Sequence, residues 1–372
     1  MNATDARFES DDLRYMARAL QLAERGYFST KPNPRVGCVI TQNGAIVGEG
    51  FHYRAGGPHA EVNAIAAARE NTRGATAYVS LEPCCHQGRT PPCTDALIAA
   101  GVARVVYAAG DPNPKVAGSG GDRLRAAGVQ VDVGVMAEQA TAVNRGFFRR
   151  MAQGVPFVTV KLGMTLDAKI ALESGASQWI TGAAARADVQ RLRAASGAVV
   201  TGVGTVMADN PALNVRDSRF DIGGVQPLRV VLDSRLRTPP SSQLFQVDGK
   251  CLIFTKRLDR AKVDALQTAG ASVERCQARG EGLDISAVLT RLAEIEVNDV
   301  LVESGPTLAG AFIRESLFDE LIVYVAPKLF GDSARDGFIL PAPFAVENAR
   351  ELEFVEIRQV ESDLRITLKP RH

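Results

Sequence analysis

One imidazole and two thiols stand along this chain at the spacing of donors to a single metal ion, and that requirement restricts the folds open to it. The segments are His59-Ala60-Glu61 and Pro83-Cys84-Cys85-His86-Gln87-Gly88-Arg89-Thr90-Pro91-Pro92-Cys93. Zinc takes nitrogen and sulfur donors in a tetrahedron, and a catalytic zinc keeps one of its four positions for water. With His59, Cys84 and Cys93 as ligands, that position stays open. Glu61 lies too near His59 to reach the same ion comfortably, which leaves its carboxylate for proton transfer. In hydrolytic sites of this signature the glutamate is not a ligand but carries protons between water, the ring and the departing amine. Zinc lowers the pKa of bound water to about 7, so hydroxide is available at neutral pH. The general signature has two residues between its cysteines, whereas eight separate Cys84 from Cys93 here. A closed structural site completed by Cys85 or His86 is the alternative, made awkward because the side chains of adjacent Cys84 and Cys85 diverge.

At 372 residues the chain is long for one domain and comfortable for two. A hydrophobic content of 46%, a charged content of 23% and 34 glycines describe an α/β globular protein, and no stretch reaches the apolar length of a membrane span. The net charge of +1 lacks the basic surplus of a nucleic-acid binder, so a small-molecule substrate is expected. Six cysteines without an apolar leader point to a reducing, cytoplasmic setting in which thiols bind metal rather than pair. Cys38, Cys251 and Cys276 sit in or beside apolar runs and read as small buried hydrophobes.

Ser10-Asp11-Asp12 reads as a helix start, with apolar residues at helical spacing up to Gly26. The runs 36–41 and 45–50 flank Asn43-Gly44, a hairpin signal because both turn positions need positive φ. The pattern then predicts a helix carrying His59 and Glu61 in its first turn, a strand over 76–80, a helix over 94–100, a strand over 104–108 and a helix over 121–127. Both ligand segments thus fall at helix N-termini, whose positive ends favour thiolate over thiol. Asp111-Pro112-Asn113-Pro114 reads as a turn.

The basic group Arg145, Arg149 and Arg150, followed by Val155-Pro156, interrupts the pattern and marks a boundary between domains 1–150 and 151–372. Beyond it the spacing predicts strands near 157–162, 198–203, 228–232, 252–254 and 300–302, and helices over 183–195 and 285–295. Glu303-Ser304-Gly305-Pro306-Thr307-Leu308-Ala309-Gly310 runs from a strand through a glycine turn into a helix, a geometry that can aim N–H groups at phosphate or serve architecture alone. Arg193 and Arg216 could clamp a phosphate or be solvated surface.

Taken in order, His59-Ala60-Glu61, Pro83-Cys84, Gly88 to Cys93, Lys161-Leu162-Gly163, Ser177-Gln178-Trp179-Ile180-Thr181, Ala208-Asp209-Asn210-Pro211 and Glu303-Ser304-Gly305-Pro306 closely resemble the RibD family of bifunctional riboflavin-biosynthesis deaminase-reductases. The resemblance implies an α/β protein of two domains, a cytidine-deaminase-like α/β/α domain followed by a dihydrofolate-reductase-like α/β domain. It implies Zn2+ and NADPH as cofactors and a pyrimidine ribosyl phosphate as substrate, with no nucleic acid or membrane partner and a homo-oligomeric state, dimer or tetramer. The deaminase would remove the 2-amino group of 2,5-diamino-6-(5-phosphoribosylamino)pyrimidin-4-one, and the reductase would convert ribosyl to ribityl. Carried over residue by residue, NADPH contacts fall on Gly163, Trp179, Thr205, Asp209, Ser234, Gly305, Pro306, Thr307, Leu308, Ala309, Gly310 and Ala311. Substrate contacts fall on Ser177, Arg193, Leu213, Arg216 and Glu303, with Arg193 and Arg216 on the phosphate. Glu61 and Asp209 are the expected catalytic carboxylates. Departures are Cys85 where serine is common, Gln87 where histidine is frequent, and Thr165 and Ala168 in place of serine and glycine. A deaminase with a degenerate second domain and a non-catalytic zinc-stabilised binding protein are the rival readings.

Overall fold

The computed structural model describes residues 8–88, 90–114 and 116–371; Arg89 of the loop quoted above lies outside them. The chain divides into two compact units, 1–154 and 155–372. The division falls four residues beyond the expected boundary. The basic group that interrupts the sequence pattern forms a helix, α6 below, which runs to Gln153 and is capped by left-handed Gly154.

The first unit contains α1 (Ser10–Arg25), β1 (Gly37–Gln42), β2 (Ala45–Phe51), α2 (Ala60–Ala68), β3 (Thr76–Leu81), α3 (Cys93–Ala99), β4 (Arg104–Ala109), α4 (Ser119–Ala126), β5 (Gln130–Val133), α5 (Ala137–Val143) and α6 (Arg145–Gln153). Among the described residues its sheet runs β2-β1-β3-β4-β5, antiparallel around β1 and parallel from β3 to β5. Asn43 and Gly44 adopt the positive φ that their hairpin demands. Alternation along each strand divides the core in two. Val39, Tyr78 and Val106 pack with α1 and with Ala140 and Phe147 on one face. Cys38, Ile40, Val79 and Val105 pack with α2, Leu97 and Leu124 on the other.

The second unit contains β6 (Phe157–Thr165), β7 (Lys169–Ala171), α7 (Ala183–Ala195), β8 (Ala198–Gly202), α8 (Val203–Asp209), β9 (Leu228–Leu232), β10 (Cys251–Thr255), α9 (Arg260–Thr268), β11 (Ala271–Arg275), the short ribbon β12 (Ala278–Arg279) and β13 (Gly282–Leu283), α10 (Ile285–Glu294), β14 (Asp299–Glu303), α11 (Pro306–Arg314), β15 (Glu320–Ala326), β16 (Arg335–Asp336), β17 (Leu352–Val360) and β18 (Asp363–Pro370). Its main sheet is ordered β11-β10-β9-β8-β14-β6-β15-β18-β17. The strands are parallel from β11 through β15, and the hairpin β17–β18 closes the sheet antiparallel. Because β14 inserts between β8 and β6, connections leave this point in opposite directions, the place in an open parallel sheet where a crevice forms at the carboxyl ends. Among the described residues no helix is long and apolar enough to cross a membrane.

Candidate active sites

In the first unit, helix α2 lies directly on strand β2 because glycine faces alanine. A Cβ placed on Gly48 or Gly50 would stand 2.3 Å from the carbonyl oxygen of Ala64 or Ala60, and Ala60, Ala64 and Ala68 are buried. This contact delivers the N-terminus of α2, with His59 at its N-cap position and Glu61 in its first turn. His52 steadies the approach. Its Nδ1 lies 3.0 Å from the carbonyl oxygen of Pro58, and its Nε2 lies 3.0 Å from Asn33 Nδ2. Burial lowers the pKa of His52, so the neutral ring donates to Pro58 and accepts from Asn33.

The second ligand segment follows β3. Buried Glu82 accepts the N–H groups of Asp111, Gly118, Gly120 and Gly121 at 3.2, 3.0, 2.9 and 3.1 Å, tying the end of β3 to the loop after β4. A Cβ on Gly120 would meet the Pro83 carbonyl oxygen at 2.1 Å, so the loop can close over Pro83 only as glycine. The segment read as a turn at Asp111 does close one, with Asn113 N–H donating to the Asp111 carboxylate at 2.8 Å.

These elements bring His59, Cys84 and Cys93 together, with their donor atoms within 4.8 Å of one another. His59 Nδ1 lies 3.1 Å from Cys93 Sγ and 3.6 Å from Cys84 Sγ. A tetrahedral zinc with bonds of about 2.0–2.3 Å sets its donors about 3.3–3.8 Å apart, so the set fits that ion. The far nitrogen of His59, Nε2, lies 3.1 Å from Thr90 Oγ1, which orients the ring and leaves Nδ1 to the metal. Cys93 is the first residue of α3, and its backbone N–H donates to Cys84 Sγ at 3.3 Å. The hydrogen bond from the Cys93 thiol, then those from His59 and from this N–H, hold the Cys84 thiol well below its ordinary range. The same shared proton, together with burial, pushes Cys93 up. The bond to Cys84 raises His59. Glu61, 3% exposed, is pushed up to about 7, first by burial and then by the Cys84 charge. A carboxyl group poised there can accept and return a proton.

Sequence reasoning assigned no role to Glu82, Thr90, His52 or Asn33. An acidic residue directly after a mostly apolar strand was the one available signal, at Glu82.

In the second unit, the carboxyl ends of β6 and β14, together with α7, α8 and the segment after α8, line a cavity of about 490 Å³. It gathers Gly163, Ser177, Trp179, Arg193, Thr205, Asp209, Leu213, Arg216, Glu303 and Gly305 from positions up to 142 residues apart. Asp209 ends α8 and accepts from Ser177 Oγ at 3.0 Å. Thr205 Oγ1 accepts the Gly305 N–H at 3.1 Å, joining the turn after β8 to the turn after β14. Trp179 is 61% exposed, with the Arg186 guanidinium 4.6 Å from its ring centre.

Other expected contacts stand elsewhere. Ala309 and Gly310 are buried, Leu308 and Ala311 pack against the main core, and a Cβ on Gly310 would lie 2.2 Å from the Ile339 carbonyl oxygen. The helical period turns these residues of α11 into the protein, so from this segment only Gly305 lines the cavity, Pro306 and Thr307 standing in the first turn beyond it. Ser234 lies two residues past β9 and also outside the lining. Arg193, expected on a phosphate, is already engaged. It meets Glu303 through two bonds of 2.5 and 3.0 Å and the Asn214 carbonyl oxygen at 3.1 Å, so three of its five N–H donors are committed to the protein while the side chain still lines the cavity. Arg216 is exposed at the cavity and makes no ion pair among the described residues. Lys161, quoted only within a motif, lines the cavity with Nζ 3.5 Å from Glu303 Oε2. Burial alone would raise Glu303, but the charges of Arg193 and Lys161 outweigh it and hold the carboxyl at about 2.

Residues 9–109 match the cytidine and deoxycytidylate deaminase zinc-binding region, and residues 156–366 match the RibD C-terminal domain. The chain is 48% identical over 363 residues to riboflavin biosynthesis protein RibD of Escherichia coli K12, covering 95% of this chain and 98% of that one. It is 42% identical to the protein of that name from Aquifex aeolicus, over 88% and 90% of the two chains. Among solved structures, Acinetobacter baumannii RibD superposes with a TM-score of 0.90 at 43% identity, over 97% of this chain and 99% of that one. A diaminohydroxyphosphoribosylaminopyrimidine deaminase/5-amino-6-(5-phosphoribosylamino)uracil reductase of Thermotoga maritima gives 0.83 at 32% identity, over the same shares.

Proposed function

This chain belongs to the RibD family, a bifunctional deaminase and reductase of riboflavin biosynthesis, and from that premise we propose how its residues divide the work. The first unit hydrolyses the 2-amino group of 2,5-diamino-6-(5-phosphoribosylamino)pyrimidin-4-one, consuming water and releasing ammonia. His59, Cys84 and Cys93 would hold zinc, which would supply the Lewis acidity that lets water lose a proton near neutral pH. Glu61 holds that proton on its carboxyl group and returns it to the ring nitrogen and the leaving amine. Thr90 keeps the His59 ring turned, and Glu82 keeps Cys84 at the end of its strand. The observation that carries this reading is the buried Glu61 carboxyl group beside three converging donors of the zinc type.

The second unit reduces the ribosyl chain to ribityl, giving 5-amino-6-(5-phosphoribitylamino)uracil. NADPH supplies the hydride, and the protein supplies orientation. Gly163, Trp179, Thr205, Ser234 and Gly305 with the first turn of α11 would hold the cofactor, with Asp209 beside it. Arg216 takes the substrate phosphate. Arg193, Glu303 and Lys161 form a fixed ion network against the sugar. The test is Glu61→Gln in the full chain, supplied with the diaminopyrimidine phosphate and NADPH while ammonia and reduced nicotinamide are followed together. Ammonia release should drop by about two to four orders of magnitude with zinc content unchanged, since general acid–base catalysis contributes about that much. Release at the parent rate would remove Glu61 from the chemistry.

We also read the protein as cytoplasmic and self-associating. Support for association comes from the hairpin β17–β18. Phe354 pairs with Leu368 and Ile357 with Ile366 on one face, which continues the core residues Leu321 and Val323 of β15 outward, yet Phe354 is 62% and Ile357 57% exposed. A core-like face left open at a sheet edge suits a second copy of the same chain.

A further inference from the structure

We infer that Arg235 and Arg257 form a site for the 2′-phosphate of the cofactor's adenosine half and thereby set the choice of NADPH over NADH. The inference rests on the reductase reading above. Strands β8, β9 and β10 are parallel and in register, with Gly202 opposite Leu232 and Leu232 opposite Phe254. Thr205, Arg235 and Arg257 each stand three residues past that row (205 − 202, 235 − 232 and 257 − 254). The segments therefore leave the carboxyl edge from adjacent strands about 4.8 Å apart, with Thr205 in the first turn of α8 and Arg235 and Arg257 in the loops after β9 and β10.

Thr205 is the inner member of the series. It lines the cavity and is bonded to Gly305, where the two turns suited to a diphosphate meet. Stepping outward from it along the edge, the next two strand ends present Ser234-Arg235 and Lys256-Arg257.

The charges facing this edge are unbalanced in favour of an anion. Asp233 is fully buried and turned inward, accepting from the N–H groups of Arg235, Arg237 and Thr238 and from the Thr238 hydroxyl. A carboxylate at such a strand end selects NAD by accepting from ribose hydroxyls, whereas an arginine there accommodates the extra phosphate. Asp233 cannot play the first part. Asp259 is engaged as the N-cap of α9. The remaining acid, Glu281, is 98% exposed and reaches Arg235 only at 3.7 Å, a surface contact that a phosphate would displace. Lys256 is spent on the carbonyl oxygens of Gly280 and Glu281. Arg257 is exposed and its guanidinium makes no hydrogen bond or ion pair among the described residues. Ser234 and two exposed arginines thus stand in the loops that follow two adjacent strands at one edge.

The test uses the sole tryptophan. Trp179 lines the same cavity, so quenching of its emission reports nucleotide binding without turnover. NADPH, NADH, adenosine 2′,5′-bisphosphate and 5′-AMP are titrated into the full-length protein and into its Arg235→Ala, Arg257→Ala and doubly substituted forms. Each single change should weaken NADPH about tenfold and the pair about a hundredfold, while NADH stays within about twofold, since each arginine contributes a charge-assisted bond to the phosphate alone. The bisphosphate should compete with NADPH on the parent protein and lose that ability on the double variant, whereas 5′-AMP should be indifferent to both. Parallel weakening of NADPH and NADH, or no weakening of either, would overturn the assignment. Failure of the parent protein to bind NADPH would instead overturn the reductase reading on which the assignment rests. Both side chains are exposed, so the variants keep the fold, and unchanged melting curves check that.

Discussion

Ala168 occupies the turn between β6 and β7 with φ of 59°, a left-handed conformation that costs an L-residue roughly 1–2 kcal/mol. The RibD resemblance puts glycine at this point, and the backbone geometry explains why. Thr165 partly compensates. Its hydroxyl donates to Asp167 at 2.5 Å and accepts the Lys169 N–H at 2.9 Å, holding the turn shut around the strained residue. Ala168→Gly should therefore stabilise the second unit by about 0.5–1 kcal/mol after the larger entropy of unfolded glycine is subtracted. A melting temperature about 1–3 °C higher would register it, and a lower one would mean that Ala168 packs usefully despite its angle. Arg193 shows the complementary case, in which the conformation is ordinary and the partner decides the role. Its fork faces Glu303, whereas Arg216 at the same cavity makes no ion pair among the described residues.

Among elements, the contact of α2 with β2 governs the metal site, because it sets where His59 and Glu61 come to rest. Gly50→Ala would drive a methyl group to within 2.3 Å of the Ala60 carbonyl oxygen, so the helix must lift. Overpacking of this kind costs about 1–3 kcal/mol. The variant should melt earlier and hold zinc less tightly, as competition with a chelator would measure. Retention of both properties would show that α2 can be displaced without moving the ligands. In the second unit the comparable tie is between α7 and β14, through Arg193 and Glu303. Glu303 titrates at about 2 in the folded chain against an ordinary 4.5, so the pair contributes stability that is complete above that ordinary value and disappears as pH falls towards 2. Melting of the second unit should weaken across that window. Glu303→Gln should flatten the dependence while lowering stability at neutral pH, because it leaves a buried arginine uncompensated. An equally steep acid transition in the variant would assign the effect to other carboxylates.

At the scale of the whole molecule, the open face of β17–β18 bears on assembly. If the chain self-associates through this face as proposed, replacing Phe354 and Ile357 together by glutamate should lower the sedimentation coefficient relative to the parent without lowering the melting temperature, since both side chains are largely exposed within one copy. Identical sedimentation of variant and parent would overturn association through this face, and a parent sedimenting as a single chain would overturn self-association itself. The hairpin also marks where reading the chain stops being enough. The convergence of His59, Cys84 and Cys93 with Glu61 nearby, the Asn43-Gly44 hairpin and most strands and helices up to β14 were legible in the residues. Metal donors obey a short spacing rule, and alternation or helical periodicity records which side of an element is buried. The run Leu321 to Val325 and the alternation of Leu364, Ile366 and Leu368 mark β15 and β18 as strands, but nothing local tells that β18 closes the sheet antiparallel against β15, because that pairing joins segments some forty residues apart. The four N–H groups gathered by Glu82 lie 29 to 39 residues away, and Glu303 is 110 residues from Arg193. A hydrogen-bonding group takes whichever partner folding places within about 3 Å. The residues alone therefore determined which chemistry the chain carries, and only the tertiary structure decided which of its charged groups are spent on holding the fold and which remain free for a substrate.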